Sequence, residues 1–408
     1  MDIDAHLDLD LVAVQEADQV TLMLELLAPE EPTGSPRAPA CVEVVLDRSG
    51  SMHGERIEAA RSALLALVDR LDPRDAFGLV VFDDDVEVVV PAGPLTDKPA
   101  VRAAIAAVQP GSTTNLSGGL LRGVQEARRV AGPAGATLLL VSDGLANEGV
   151  VDTAGLEAIA AGAQRGGVTV STIGLGLGYS EEVLAAVARG GQGNHVFAEE
   201  ADAAGPAVAG EVDGLLSRTV QAASLLIRPT GHVRTVTVYN DLPSHGVQDS
   251  VMVELGDLWA GESRTLLVGL GVPAMGELGL AQIAWLELRY VTLPALAEET
   301  VTMPVSVNVV PGDQAAGRIP NPKVRNELLF QQAQAAKRHA AEAIARGDDR
   351  GAYDLLTRAG GSLEGVDAEE QTIILDLAAD VASGATARAA KHSHMEHHRK
   401  SRKRGRGA

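Results

Sequence analysis

Between Ile3 and Ala13 apolar side chains occupy every second position: Ile3, Ala5, Leu7, Leu9, Leu11 and Ala13. Asp4, His6, Asp8 and Asp10 fill the positions between them. A period of two belongs to a half-buried strand, so one strand is expected over residues 3–14. "QEAD" follows as a turn, and Val20, Leu22, Leu24 and Leu26 repeat the alternation. The pair predicts a β-hairpin over 1–27. A lone hairpin is marginally stable, so this one needs strands from elsewhere. "APEEPTGSPRAP" (28–39) reads as a linker.

From Ala40 the pattern changes. "CVEVVLD", "AFGLVVF", "ATLLLVSD" and "VTVSTIGLG" are continuous apolar runs typical of strands buried on both faces. Helix-period stretches such as "GERIEAARSALLALVDRL" and "LSGGLLRGVQEARRV" alternate with them. The alternation predicts a doubly wound α/β domain over 40–218, with a mostly parallel sheet. From 219 to 311 strand patterns dominate, separated by Gly, Pro and Asp turns, which predicts an antiparallel β-sandwich. The expected fold class is therefore α/β, with the doubly wound sheet inserted in or followed by that sandwich. The 1–27 hairpin is expected to pair with it. A helical region over 321–383 opens at Asn321-Pro322, a favourable N-cap and first-turn pair. A polar tail, 384–408, is expected to be disordered.

Hydrophobic residues make up 46% of the chain and charged residues 22%, the balance of a globular protein. Aromatics are only 2%, so the cores are built from Ala, Val, Leu and Ile. The net charge of −21 argues against a nucleic-acid binder acting through its whole surface. The tail differs: from Arg388 onward it carries eight Lys/Arg and one Glu. An electrostatic role is expected there, in contact with an acidic protein or nucleic acid. His392, His394, His397 and His398 lie in the same stretch. The single cysteine, Cys41, rules out a disulfide within the chain. No signal-peptide pattern opens the sequence, and no apolar run approaches the ~18 residues of a membrane helix. A cytoplasmic location without membrane insertion is expected.

The chemistry gathers at strand ends. "VVLDRSGSMHG" stops an apolar run at Asp47 and follows it with Ser49 and Ser51. "LLLVSD" ends at Asp143 in the same way, and "GSTTNLSGGL" offers Thr113, Thr114 and Asn115 before a helix. In open α/β sheets ligands lie beyond the carboxyl ends of the strands. Two carboxylates and several hydroxyls there form a hard-oxygen set suited to Mg²⁺, Mn²⁺ or Ca²⁺. "FDDDV" (82–86) reads as a solvated hairpin turn in preference to a second metal site. "IGLGLGYS" (173–180) reads as a strand-to-helix loop, since it lacks the lysine of a phosphate loop. His53 has no clustered partner in the sequence and reads as a surface or packing residue.

"DRSGSM", "TTNLSGGL" and "VSDG" resemble, in order, the DxSxS motif, threonine loop and third element of von Willebrand factor A (VWA) domains. The resemblance covers 40–218, and the flanking β-regions are similar to those of bacterial intracellular VWA proteins. It implies a metal-ion-dependent adhesion site with Asp47, Ser49, Ser51, Thr114 and Asp143 at the motif's five positions, usually holding Mg²⁺. Thr114 takes the threonine position because it directly precedes Asn115. The implied function is non-catalytic: Mg²⁺-dependent binding of a partner protein through an exposed Asp or Glu. Some related modules work beside AAA+ ATPases. This chain has no Walker motif, so such an ATPase would be a separate chain. A metal-dependent phosphohydrolase and a tail-mediated nucleic-acid-associated protein are the alternatives.

Overall fold

The computed structural model describes residues 1–31, 37–143, 146–176, 180–198, 201–386, 389–390, 393 and 404–406. The chain opens with β1 (Asp2–Leu7), β2 (Leu11–Ala13) and β3 (Asp18–Leu27). The single strand expected over 3–14 is thus two. Asp8 Oδ1 accepts the backbone N–H groups of Leu9 and Thr21, both at 2.7 Å, and turns the chain there. β1 stays antiparallel to β3. β2 crosses to another sheet and pairs in parallel with Asn308–Val310. The break also reverses the alternation: Val12 joins the large outer core, while Ala13 packs against Val310 and Ala315.

An α/β layer follows. Its elements are β4 (Cys41–Asp47), α1 (Glu55–Arg70), β5 (Ala76–Phe82), β6 (Val86–Pro94), α2 (Lys98–Ala107) and α3 (Leu116–Val130). Then come β7 (Ala136–Ser142), α4 (Thr153–Arg165), β8 (Val168–Leu175), α5 (Glu181–Gly190), β9 (Gln192–Ala198) and α6 (Ala201–Leu216). The strand order is β6-β5-β4-β7-β8-β9, parallel except for the β5–β6 hairpin. Val42, Val44 and Leu46 point to one face, beneath α1, α2 and α6, and Val45 points to the other, beneath α3, α4 and α5. Burial on both faces is why these strands read as unbroken apolar runs.

The rest of the chain supplies β10 (Arg218–Pro229), β11 (Thr235–Val238), β12 (Ser244–Val247), β13 (Ser250–Trp259), β14 (Glu262–Val272), β15 (Gly279–Thr292) and β16 (Ala297–Val310). One sheet runs β1-β3-β14-β11 and the other β12-β13-β10-β15-β16-β2. β3 pairs with β14 from Leu27↔Ser263 to Asp18↔Val272, so the N-terminal hairpin finds its partner beyond the α/β layer. Val20, Leu22, Leu24 and Leu26 face the apolar core that the two sheets share. On the reverse face, Met23 and Leu267 are covered by Val324. That valine belongs to the helical region: α7 (Gly312–Ala315), α8 (Pro322–Ala345), α9 (Asp349–Ser362) and α10 (Ala368–Ala382). Most of the tail expected to be disordered lies outside the described residues. Within it, β17 (Arg404–Arg406) pairs antiparallel with Glu262–Arg264 of β14. Among the described residues no helix is long and apolar enough to cross a membrane.

The end of α6 meets the two-sheet unit directly. A Cβ on Gly214 would lie 2.5 Å from the Trp259 ring, and Ala260 N–H donates to the Ser217 carbonyl at 2.7 Å.

One core residue has a measurable consequence. Glu43, in the middle of β4, is fully buried, and neither carboxyl oxygen has a hydrogen-bond partner. Burial first, and then the charge of Glu126, push its carboxyl from 4.5 up to about 9. At neutral pH it is protonated in the folded chain and ionised in the unfolded one. A raised acid pKa gives stability that is complete below pH ~4.5 and lost progressively as pH rises toward ~9. At pH 7 the loss is about 3 kcal/mol, at 1.36 kcal/mol per pH unit. Denaturant unfolding at pH 5, 7 and 8.5 is expected to show this decline in the wild type. Glu43→Gln should flatten it, and equal slopes in the two proteins would contradict the assignment.

Candidate metal centre

The strand order of the α/β layer reverses between β4 and β7. At such a switch point neighbouring loops leave in opposite directions and open a crevice at the carboxyl ends of the strands. Asp47 ends β4 and Asp143 directly follows β7, so both stand at that crevice. They are 0% and 1% exposed.

After Asp47 the chain makes a short 3₁₀ turn, Gly50–Met52, before α1 begins at Glu55. Ser49 N–H donates to Asp47 Oδ1 at 2.8 Å, and Ser142 Oγ donates to Asp47 Oδ2 at 2.6 Å. The Ser49 and Ser51 hydroxyls lie 3.1 Å apart. Gly50 between them lets the threonine loop approach: its N–H donates to the Ser112 carbonyl at 2.8 Å, and a Cβ there would sit 3.2 Å from that oxygen. The same loop turns Thr114 inward, 2% exposed. Asn147 Oδ1 accepts the Thr114 N–H at 2.8 Å, and the Thr114 carbonyl accepts from Asn147 and Glu148. Thr113 instead faces outward and donates its hydroxyl to Glu148 at 2.8 Å. Asn115 caps α3 by accepting the Gly118 N–H at 2.9 Å.

Burial raises the Asp47 carboxyl to about 6, with the Asp143 charge adding to the rise and hydrogen bonds from Ser142 and Ser49 opposing it. Asp143 Oδ1 is buried without a hydrogen-bond donor. Two desolvated carboxylates, one with an orphaned oxygen, beside paired hydroxyls form a donor set that fits a hard divalent cation. Among the described residues no group of three or more His, Cys, Asp or Glu side chains is arranged to hold a metal ion. The oxygens here come from only two carboxylates and from hydroxyls.

Two arginines at this edge have different roles. Arg48, inside the DxSxS stretch, turns away: its Nε lies 3.2 Å from Asp83 and its Nη1 3.0 Å from Glu87. Asp83 is buried, and its carbonyl accepts the Asn115 N–H at 2.8 Å. The "FDDDV" turn, read as solvated, therefore braces the threonine loop. Arg56 is the residue that the sequence pattern missed. It projects from the first turn of α1 and donates to the Ser51 carbonyl at 3.0 Å and to Asp143 Oδ2 at 3.2 Å. Its position five residues after Ser51, at the start of the following helix, was the available signal. His53 is exposed, with Nδ1 2.9 Å from the Gly50 carbonyl. The four tail histidines, and residues 177–179 of "IGLGLGYS", lie outside the described residues.

Residues 42–207 match the family model of the von Willebrand factor type A domain. The chain is 27% identical over 264 residues to an uncharacterized protein of Synechocystis sp., an alignment spanning 61% of this chain and 62% of that protein. A von Willebrand factor type A structure from Catenulispora acidiphila superposes with a TM-score of 0.74 at 16% identity, covering 97% of this chain and 96% of that one. The ArnB paralog VWA2 from Sulfolobus acidocaldarius gives a TM-score of 0.68 at 16% identity and covers 99% of both chains. The likeness in fold thus extends through the flanking sheets and C-terminal helices.

Proposed function

We propose that this protein is a divalent-cation-dependent interaction module. Asp47, Ser49, Ser51, Thr114 and Asp143 would hold the ion, preferably Mg²⁺, with Mn²⁺ or Ca²⁺ as substitutes. A bound ion supplies a Lewis-acidic position for an acidic side chain of a partner protein. The observation that carries this reading is the orphaned Asp143 oxygen, buried beside Asp47 and the paired serine hydroxyls. The two carboxylates balance a 2+ charge, and the hydroxyls add none, so an incoming carboxylate is favoured. The partner is a protein with an exposed Asp or Glu, and an AAA+ ATPase on a separate chain is one such class. A cytoplasmic setting belongs to this reading. The one cysteine, Cys41, is buried, and burial followed by the charge of Glu43 pushes its thiol up to about 11, which leaves it unreactive.

The test is affinity capture from native extract with immobilised protein, in Mg²⁺ and in EDTA. A partner retained only in Mg²⁺, and lost when its acidic residue becomes Ala, is the expected result. Capture that ignores EDTA would overturn the reading. Arg56 favours a second reading, phosphoester hydrolysis, since it brings a cation to the site that a phosphate could use. Turnover of a generic phosphoester, absent in Asp47→Ala, would support that instead.

A further inference from the structure

Arg56 is built into the site. Its guanidinium bridges the loop that carries the serines, through the Ser51 carbonyl, and the buried carboxylate of Asp143. Asp143 is 1% exposed at the side chain, while Arg56 is 35% exposed, so the cation reaches the carboxylate from the solvent side. Its seat depends on Gly176, which has φ +76° and sits against the guanidinium. A Cβ there would lie 2.8 Å from Arg56 Nε and 3.1 Å from Cζ, so a larger residue would displace the charge. Arg56 and Gly176 also line a cavity of about 1440 Å³ along α1, which leaves the arginine open space to move into.

We propose that Arg56 is an internal counter-ion that competes with a divalent cation for the charge of Asp143. This rests on the metal-site reading above. The arginine neutralises one of two adjacent buried carboxylates, and the ion competes for the same oxygen charge. Ion affinity is thereby held down, and the displaced guanidinium stays at the rim, where an incoming carboxylate would meet it. By linkage, the factor by which the Arg56–Asp143 pair lowers ion affinity is also the factor by which a bound ion weakens the pair.

The probe is Mn²⁺ alone, titrated calorimetrically into the full chain. Arg56→Gln and Arg56→Ala are each expected to bind it about tenfold tighter than wild type, the effect of removing one partly screened like charge near the ion. Arg56→Lys, which keeps the charge, should stay near wild type. A bracing role for Arg56 predicts the opposite sign, since losing a brace weakens the site. A second readout is the thermal shift on adding Mn²⁺, expected to be larger in Arg56→Gln than in wild type. Equal or weaker binding in Arg56→Gln and Arg56→Ala would overturn the counter-ion while leaving the metal site standing. No binding in any of the four proteins would overturn both.

Discussion

Asp143→Ala is expected to lose divalent-cation binding by at least ~100-fold, because weakening a mere supporting residue of a metal site already costs ~10–100-fold. The chain should remain folded. Asp143 receives no hydrogen bond at Oδ1, and its other oxygen pairs with a partly exposed arginine. Its removal also relieves repulsion on Asp47, whose carboxyl the Asp143 charge helps to raise. Asp47→Ala should lose the ion equally but behave differently in stability. It removes the acceptor of the Ser49 N–H at 2.8 Å and one hydrogen bond of the Ser142 hydroxyl at 2.6 Å. Leaving buried donors unpaired costs about 1–3 kcal/mol per group. Calorimetric titration with Mn²⁺ beside denaturant unfolding separates the two effects. An Asp143→Ala protein that binds Mn²⁺ as wild type does would remove Asp143 from the site.

The largest stability effect is expected in the C-terminal helices. Lys337 of α8 and Glu370 of α10 form an ion pair at 0% and 1% side-chain exposure. Gln334 adds a hydrogen bond to Glu370 at 2.7 Å. Glu370→Ala leaves the Lys337 ammonium buried without this counter-charge, which costs about 3–5 kcal/mol. The double variant Lys337→Met/Glu370→Leu should recover most of that loss, because it also removes the cost of desolvating both charges. Denaturant unfolding of the three proteins is the measurement. A Glu370→Ala loss below about 1 kcal/mol would show that the pair contributes like an exposed one. The sequence pattern placed helices here but did not mark this pair. Glu327, Gln331, Gln334 and Lys337 recur at helical spacing along α8, and all four are buried.

Similar limits hold elsewhere. The alternation over 3–14 was read as one strand because Asp8 and Asp10 continue the period. The turn at Asp8 depends on a hydrogen bond to Thr21, 13 residues away. Asp83 looked like part of a solvated acidic turn, yet it is buried because Arg48 and the threonine loop close over it. Thr113 and Thr114 are adjacent and chemically alike. Only the fold turns one outward to Glu148 and the other inward.

What the sequence determines by itself is local. Hydrophobic period separates strand from helix, and continuous apolar runs mark strands buried on both faces. Polar residues at the ends of those runs mark Asp47, Ser49, Ser51 and Asp143 as candidates before any coordinates, and leave Thr113 and Thr114 both open until the resemblance to VWA domains points to Thr114. The tertiary structure alone decides which strand ends are neighbours. That depends on β4 pairing with both β5 and β7, contacts between residues far apart in the chain. The same pairing sets Arg56 on Asp143 and brings the N-terminal hairpin to β14. Spacing along a chain encodes the geometry of one element, whereas charge pairing across a crevice depends on how several elements pack.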